Sequence, residues 1–268
     1  MDVDFTRYGS NYYGYYAGSF SNSADFSSIQ PKLAVGYQVN DTTRLYGLIS
    51  RGYKPGGFNL APSNAYDAQP FGRERSTSVE LGSRWQQGDW QVGAALYQVA
   101  IQDTQLYRGN DLGYQTLRNV GDTRSRGLEL DARWQVMPGW TLSGTWQAIQ
   151  ARTSGGVNQG KELVLTAPRT GTLRSTWRLN EHHTVDVGLQ HLSPMRFGDD
   201  DDNSCTRRTP RSTLLDARYA WTADGWTVAL SGTNLTDQKG YNYAYGCNAP
   251  SLYPYNGRAL KFTVSRQF

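Results

Sequence analysis

The nine residues Leu128-Glu129-Leu130-Asp131-Ala132-Arg133-Trp134-Gln135-Val136 alternate strictly between apolar and polar side chains. Successive side chains of a strand point to opposite sides, so this stretch makes one greasy face and one wet, charged face. The next stretch repeats it, with Trp140, Leu142, Gly144, Trp146 and Ala148 on one side and Thr141, Ser143, Thr145 and Gln147 on the other. Leu215, Ala217, Tyr219 and Trp221 alternate with Asp216 and Arg218, and Trp226, Val228 and Leu230 with Thr227, Ala229 and Ser231. Leu33, Val35 and Tyr37 alternate with Lys32, Ala34, Gly36 and Gln38.

A soluble β-sandwich alternates in the same way, so the connections decide. Asn40–Thr43, Gln86–Asp89, Met137–Gly139, Asn180–His183 and Ala223–Gly225 are tight turns. Between them lie the long segments 9–26, 57–73, 107–120, 153–164, 197–210 and 238–255. Short periplasmic turns alternating with long extracellular loops are the mark of an outer-membrane barrel, and a Greek-key sandwich has no reason to keep that rhythm. The fold class expected is all-β: an antiparallel transmembrane β-barrel wall of about twelve strands. Trp85, Trp90, Trp140, Trp221 and Trp226 flank short turns, where a periplasmic aromatic girdle belongs.

Composition agrees. The chain has 268 residues, 38% hydrophobic, with 18 Tyr, 8 Trp and 29 Gly. Mean hydropathy is -0.64, and no stretch has the roughly 18–20 apolar residues of a membrane helix. A net charge of +4 is too small to argue for nucleic acid. Met1 to Arg7 carry no apolar signal-peptide region, which reads as a fragment of a longer gene or a chain whose start is missing.

The last strand closes on Phe268, with Leu260, Phe262 and Val264 in register, a pattern similar to the insertion signal read by the barrel-assembly machinery. Arg266 stands at an outward position; such a residue costs about 2–4 kcal/mol at the bilayer midplane but about 0–1 near the interface. A periplasmic C-terminus makes 238–255 extracellular and puts every short turn on the periplasmic side.

Four motifs in order resemble TonB-dependent receptors of the bacterial outer membrane. They are Arg51-Gly52-Tyr53-Lys54-Pro55-Gly56-Gly57-Phe58-Asn59, then Asn119-Val120-Gly121-Asp122 with Ser125-Arg126-Gly127-Leu128-Glu129-Leu130, then Asn234-Leu235-Thr236-Asp237, then terminal Phe268. Gly52 to Phe71, Val79-Glu80-Leu81-Gly82 and Gln105-Leu106-Tyr107 are similar to the ferric yersiniabactin/pesticin receptors of that family. The resemblance implies that residues 1–268 are the C-terminal portion of a 22-stranded barrel domain, with the N-terminal plug and TonB box outside this sequence. It implies TonB-dependent uptake of a ferric siderophore across the cell outer membrane of a Gram-negative bacterium. The partners implied are the ferric siderophore, TonB through the missing N-terminal region, outer-membrane lipid and lipopolysaccharide. Cobalamin, haem or carbohydrate cargo, a porin-like passive channel, and closure into a smaller twelve-stranded barrel are the alternatives.

No catalytic constellation is present, so no enzyme and no cofactor is expected. His182 and His183 sit in a periplasmic turn and His191 on the lipid-facing register, which argues against haem ligation. Cys205 and Cys247 lie in the last two extracellular loops and read as a disulfide in an oxidising compartment, the alternative being two free thiols. Asp199, Asp200, Asp201 and Asp202 form an acidic run, read either as a divalent-cation site or as solvated loop. For an anionic or aromatic siderophore, the candidate contacts are Arg51, Tyr53, Phe58, Tyr66, Tyr107, Arg108, Tyr114, Tyr243 and Tyr245, on loops and the upper inner wall. Tyrosine supplies a stacking surface with a polar tip and arginine a bidentate donor. Glu80, Glu129, Asp131, Arg133, Asp216 and Arg218 point inward and are expected to form polar networks.

Overall fold

A computed structural model describes residues 2–9, 18–59, 67–109 and 115–267. Its strands are β1 (Asp2–Gly9), β2 (Gly18–Asp25), β3 (Lys32–Asn40), β4 (Thr43–Lys54), β5 (Glu74–Gln87), β6 (Trp90–Gln102), β7 (Gln105–Gly109), β8 (Gln115–Asn119), β9 (Thr123–Met137), β10 (Trp140–Thr153), β11 (Arg169–Arg178), β12 (His183–Leu192), β13 (Ser212–Ala223), β14 (Trp226–Thr233), β15 (Tyr241–Tyr245), β16 (Ser251–Pro254) and β17 (Ala259–Arg266).

Eleven of them form one antiparallel sheet in the order β17-β14-β13-β12-β11-β10-β9-β6-β5-β4-β3. The links across it alternate as the sequence predicts. Residues 41–42, 88–89, 138–139, 179–182 and 224–225 are tight turns, and 55–73, 103–122, 154–168, 193–211 and 234–258 are long. The turn chemistry is local. Asp224 and Gly225 both have positive φ, +51° and +77°, the conformation of a two-residue hairpin that matches strand twist. Asn40 and Asn180 accept backbone N–H groups two residues on, at 3.0 and 2.9 Å, and so close their own turns.

Three pairs stand apart from the main sheet: β1 with β2, β7 with β8, and β15 with β16. This corrects one expectation. The segment 9–26 is not simply a loop, because Gly18–Asp25 pairs back onto Asp2–Gly9. The physical reason is that a long connection has its own backbone groups to satisfy, and a hairpin satisfies them internally. The main sheet has eleven strands, in keeping with the expected antiparallel wall of about twelve. The sheet is also open: among the described residues β3 and β17 do not pair with each other, so closure into a small barrel is not what this chain forms.

The apolar positions line up across strands. Leu33 faces Ile49, Ile49 faces Val79, Leu81 faces Leu96, and Leu96 faces Leu128. Leu33, Leu81, Leu96, Leu173, Leu230, Leu260 and Phe262 are all exposed on this face. An exposed apolar sheet of this extent belongs against lipid. Seven of the 8 tryptophans, all but Trp146, lie beside the short turns. Trp90 and Trp134 stack with centroids 4.7 Å apart, Trp140 and Trp177 pack at 5.8 Å, and Arg266 lies 5.1 Å over the Trp226 ring. That last contact gives the outward arginine a partner at the girdle.

Candidate functional site

The opposite face of the sheet is polar. Across neighbouring strands Tyr46 donates its hydroxyl to Glu80 at 2.7 Å, and Arg174 and Thr176 both donate to Asp186, at 3.1 and 2.7 Å. Two links reach over a whole strand. Arg84 on β5 meets Asp131 on β9 at 2.5 Å, spanning Gly93 of β6, and Gln147 on β10 donates to the Tyr97 hydroxyl on β6 at 2.7 Å, above Gly127 of β9. Both glycines are required by close approach: a Cβ on Gly93 would lie 2.0 Å from Arg84 Nη1, and one on Gly127 would lie 2.6 Å from the Tyr97 ring. Gln147 also donates to Glu129 at 3.0 Å, so Glu129 and Asp131 belong to wall networks, as the alternation predicts. This face is a hydrated, charged lining of the kind a barrel interior carries.

Above the wall, the loop 193–211 and the loop 234–258 form one cluster. Cys205 and Cys247 are joined, with Cα atoms 5.6 Å apart. Phe197, Cys205 and Ala244 are its buried core, with Tyr241 packed against it. Arg196 reaches Glu162 at 2.9 Å and the buried carboxylate of Asp200 at 2.7 Å, and Arg208 reaches Glu162 at 2.7 Å. These arginines and Glu162 line a cavity of about 240 Å³.

The acidic run does not converge on a cation. Asp199 accepts the Gly246 amide at 3.0 Å, Asp200 pairs with Arg196 and accepts the Cys205 amide at 2.8 Å, and Asp202 accepts the Ser204 amide at 3.1 Å. Among the described residues no group of three His, Cys, Asp or Glu side chains is placed to hold a metal. The cation reading of Asp199, Asp200, Asp201 and Asp202 is thus corrected: the carboxylates of Asp199, Asp200 and Asp202 are spent on loop amides and a guanidinium.

Burial raises the Glu162 pKa, but the guanidiniums of Arg208 and Arg196 outweigh it and hold it below 4.5. The Ser204 amide and hydroxyl likewise lower Asp202. A carboxylate whose folded pKa is depressed stabilises the fold above its unfolded pKa, and that stability fades as pH falls through the folded value. Loop order at 161–165 and 196–208 should accordingly be constant down to about pH 4.5 and lost below it. Hydrogen exchange across that range checks this; a Glu162→Gln variant as acid-sensitive as the parent refutes it.

The asparagines of the family-like motifs act as loop pins. Asn59 binds the Leu117 amide at 2.7 Å and its carbonyl at 3.1 Å. Asn119 accepts the Gly72 amide at 2.6 Å and donates to Asp103 O at 2.7 Å. Asn234, buried with φ +46°, donates through Nδ2 to Gln238 O and Asn256 O at 3.0 Å and accepts the Gln238 amide at 2.8 Å. None of the three is among the candidate contacts; their short motifs marked them, but only their loop partners, up to 58 positions away for Asn59, show what they do.

The candidate contacts are dispersed. Arg51 and Tyr53 pair with Thr77 and Arg75 in unbroken register with Ile49↔Val79, so they share the lipid-facing side. Their assignment to the upper inner wall is corrected, because side-chain parity along β4 does not change. Phe58 is half-buried in the loop after β4, and Tyr107 is 65% exposed on β7, where Arg108 follows it. Tyr243 packs edge-on against Tyr253 with centroids 4.9 Å apart, and Tyr245 is exposed on the same hairpin. Tyr66 and Tyr114 lie outside the described residues. The β7–β8 and β15–β16 hairpins rise from links six strands apart, roughly 30 Å along the sheet at the usual strand spacing.

Residues 3–235 match the family model "TonB dependent receptor-like, beta-barrel". The chain belongs to this TonB-dependent receptor family. It is 38% identical over 253 residues to the pesticin receptor of Yersinia enterocolitica, covering 91% of this chain and 36% of the relative. It is 29% identical over the same length to the pesticin receptor of Yersinia pestis. Among solved structures it is similar to the ferric yersiniabactin uptake receptor FyuA from Yersinia pestis, with a TM-score of 0.81 and 24% identity over 92% of this chain and 38% of that one. This receptor chain thus spans about a third of the length of its relatives. Its fold is a partial receptor barrel, its place is the outer membrane, and the proteins it matches are receptors rather than enzymes.

Proposed function

We propose that the receptor to which this chain contributes takes up a ferric siderophore in a TonB-dependent manner and does no chemistry on it. The observation that carries this reading is the joint likeness, in sequence and fold, to the pesticin and ferric yersiniabactin receptors. The wall supports it, since a polar lining behind a lipid-facing apolar surface suits a passage for a hydrophilic complex. In this reading residues 1–268 are the C-terminal portion of the barrel domain, and TonB engages a region outside them. The C-terminal segment that carries Phe262, Val264 and Phe268 serves the assembly machinery, and lipopolysaccharide meets the outer face. The test is growth of an iron-limited strain carrying only the full-length gene, supplied with defined siderophores, ferric yersiniabactin among them. Rescue by none of them sinks the reading.

Exposed loop tyrosines are its ligand contacts, with Tyr107 on β7 and Tyr245 on β15 the best placed. Each aromatic contact is worth about 0.5–1.5 kcal/mol. Tyr107→Ala with Tyr245→Ala should therefore weaken siderophore binding roughly ten-fold without changing barrel melting. Equal affinity in a fluorescence-quenching titration removes both from the site.

A further inference from the structure

Arg124 and Arg126 on β9 and Arg152 on β10 stand together at the extracellular end of the sheet. Arg124 is the direct cross-strand partner of Arg152, and Arg126 that of Gln150. The register runs unshifted from there down to Thr141, so all three share a face with Leu128, Leu130 and Trp146, the lipid-facing side. All three are exposed. Among the described residues none is in an ion pair, and the one hydrogen bond they make runs from Arg152 to Gly160 O at 2.8 Å. Arg51 lies on the same row, through Thr77 and Ala100 to Arg124.

The acidic groups nearby are engaged elsewhere. Glu162 is the bridge partner of Arg152, but its carboxylate is held by Arg196 and Arg208. Asp122, two residues above Arg124, accepts the Asp103 amide at 3.1 Å. Like charges placed directly opposite on neighbouring strands repel. Outward arginines are tolerated only near the membrane interface. These stand just above the apolar band, at the depth where headgroups lie.

We propose that Arg124, Arg126 and Arg152 form a binding site for the phosphomonoester of an outer-leaflet lipid. The phosphate sits between the guanidiniums of Arg124 and Arg152, with Arg126 below, and relieves their repulsion through bidentate hydrogen bonds. A phosphomonoester carries close to two negative charges, against one for a phosphodiester, and so matches three guanidiniums better. A site on this face at this depth meets lipid headgroups and not soluble anions. Lower on the same two strands, the small side chains Ala132 and Gly144 leave a cavity of about 480 Å³ flanked by Trp134, Trp146, Leu130 and Leu142. Its upper edge is four residues below Arg126, roughly 13 Å along a strand, within reach of an acyl chain of the same lipid.

The proposal rests on the lipid-facing reading of the apolar side and not on the cargo. The experiment uses the intact receptor in detergent micelles and measures binding of bis-phosphorylated lipid A by native mass spectrometry. Siderophore binding is followed in parallel, so that failure of the uptake reading shows up separately. Expected is binding by the parent, loss of at least ten-fold in an Arg124→Gln, Arg126→Gln, Arg152→Gln variant, and substantial retention in the corresponding lysine variant, which keeps the charge. Heat-modifiable migration of both variants checks that the barrel has folded. Equal binding by the glutamine variant overturns the proposal, as does equal binding of dephosphorylated lipid A or of phosphatidylglycerol. Displacement of lipid A by millimolar inorganic phosphate overturns it in favour of a free-anion site.

Discussion

Replacing Arg196 by alanine is expected to destabilise the extracellular loop cluster by about 3–5 kcal/mol while leaving the wall standing. The Asp200 carboxylate is 1% exposed, and Arg196 is its charged partner at 2.7 Å. Without the guanidinium a buried anion keeps only amide donors such as that of Cys205. Glu162 loses one of its two arginines at the same time. The Cys205–Cys247 bond still tethers the loops, so the outcome is local opening rather than detachment. The measurement is protease cleavage within 193–211 on outer-membrane vesicles, together with the melting temperature of the barrel. Cleavage should rise steeply and melting change little. Arg196→Lys should rescue only in part, because one ammonium does not reproduce a planar fork bridging two carboxylates. Adding Asp200→Asn to Arg196→Ala should recover part of the loss by removing the stranded charge. Parental protease resistance in Arg196→Ala contradicts the account.

The second large effect is expected at Asn234. Its side chain makes three hydrogen bonds that tie the end of β14 to Gln238 and Asn256, and its amide donates to Asp216 at 2.8 Å. Asn234→Ala loses the three side-chain bonds, at about 1 kcal/mol each. It also places a Cβ-bearing residue without a compensating bond in the left-handed region, for about 1–2 kcal/mol more. The total, about 4–5 kcal/mol, should loosen the whole loop 234–258. Asn234→Gly keeps the backbone freedom and loses only the bonds, so it should be less destabilised than alanine by about 1 kcal/mol. Denaturant unfolding of the three proteins in detergent separates the two contributions. Identical stability of the glycine and alanine variants shows that the positive φ carries no energy here.

Both residues show how far the sequence could be read. Asn234 belongs to a motif, Asn-Leu-Thr-Asp, that pointed to the family without saying what the asparagine does. Its partners lie at 238 and 256, and no pattern in the sequence couples them. Arg196 was not among the candidate residues, and the acidic run three residues later read more readily as a cation site. A run of carboxylates looks the same in sequence whether it faces solvent, a metal or an arginine; burial and direction decide. Arg51 is the opposite case. Extending the alternation of Leu45, Gly47 and Ile49 by one step already sets it on the lipid-facing side, yet its place in a family-like motif suggested a cargo contact.

The alternating residues from Leu128 to Val136, with their counterparts elsewhere, determined by themselves that the chain makes amphipathic strands and which residues share a face. The period of two is a property of the backbone and needs no partner. Link lengths and the tryptophans beside the short turns determined which end of the sheet is which. Only the tertiary structure decided what meets what. The pairing of Arg84 with Asp131 over Gly93, the grip of Arg196 on Asp200 and Glu162, and the cluster of Arg124, Arg126 and Arg152 all depend on strand register and loop path. Those are set by the sum of many weak cross-strand and loop contacts, and a short window of sequence contains only one side of each.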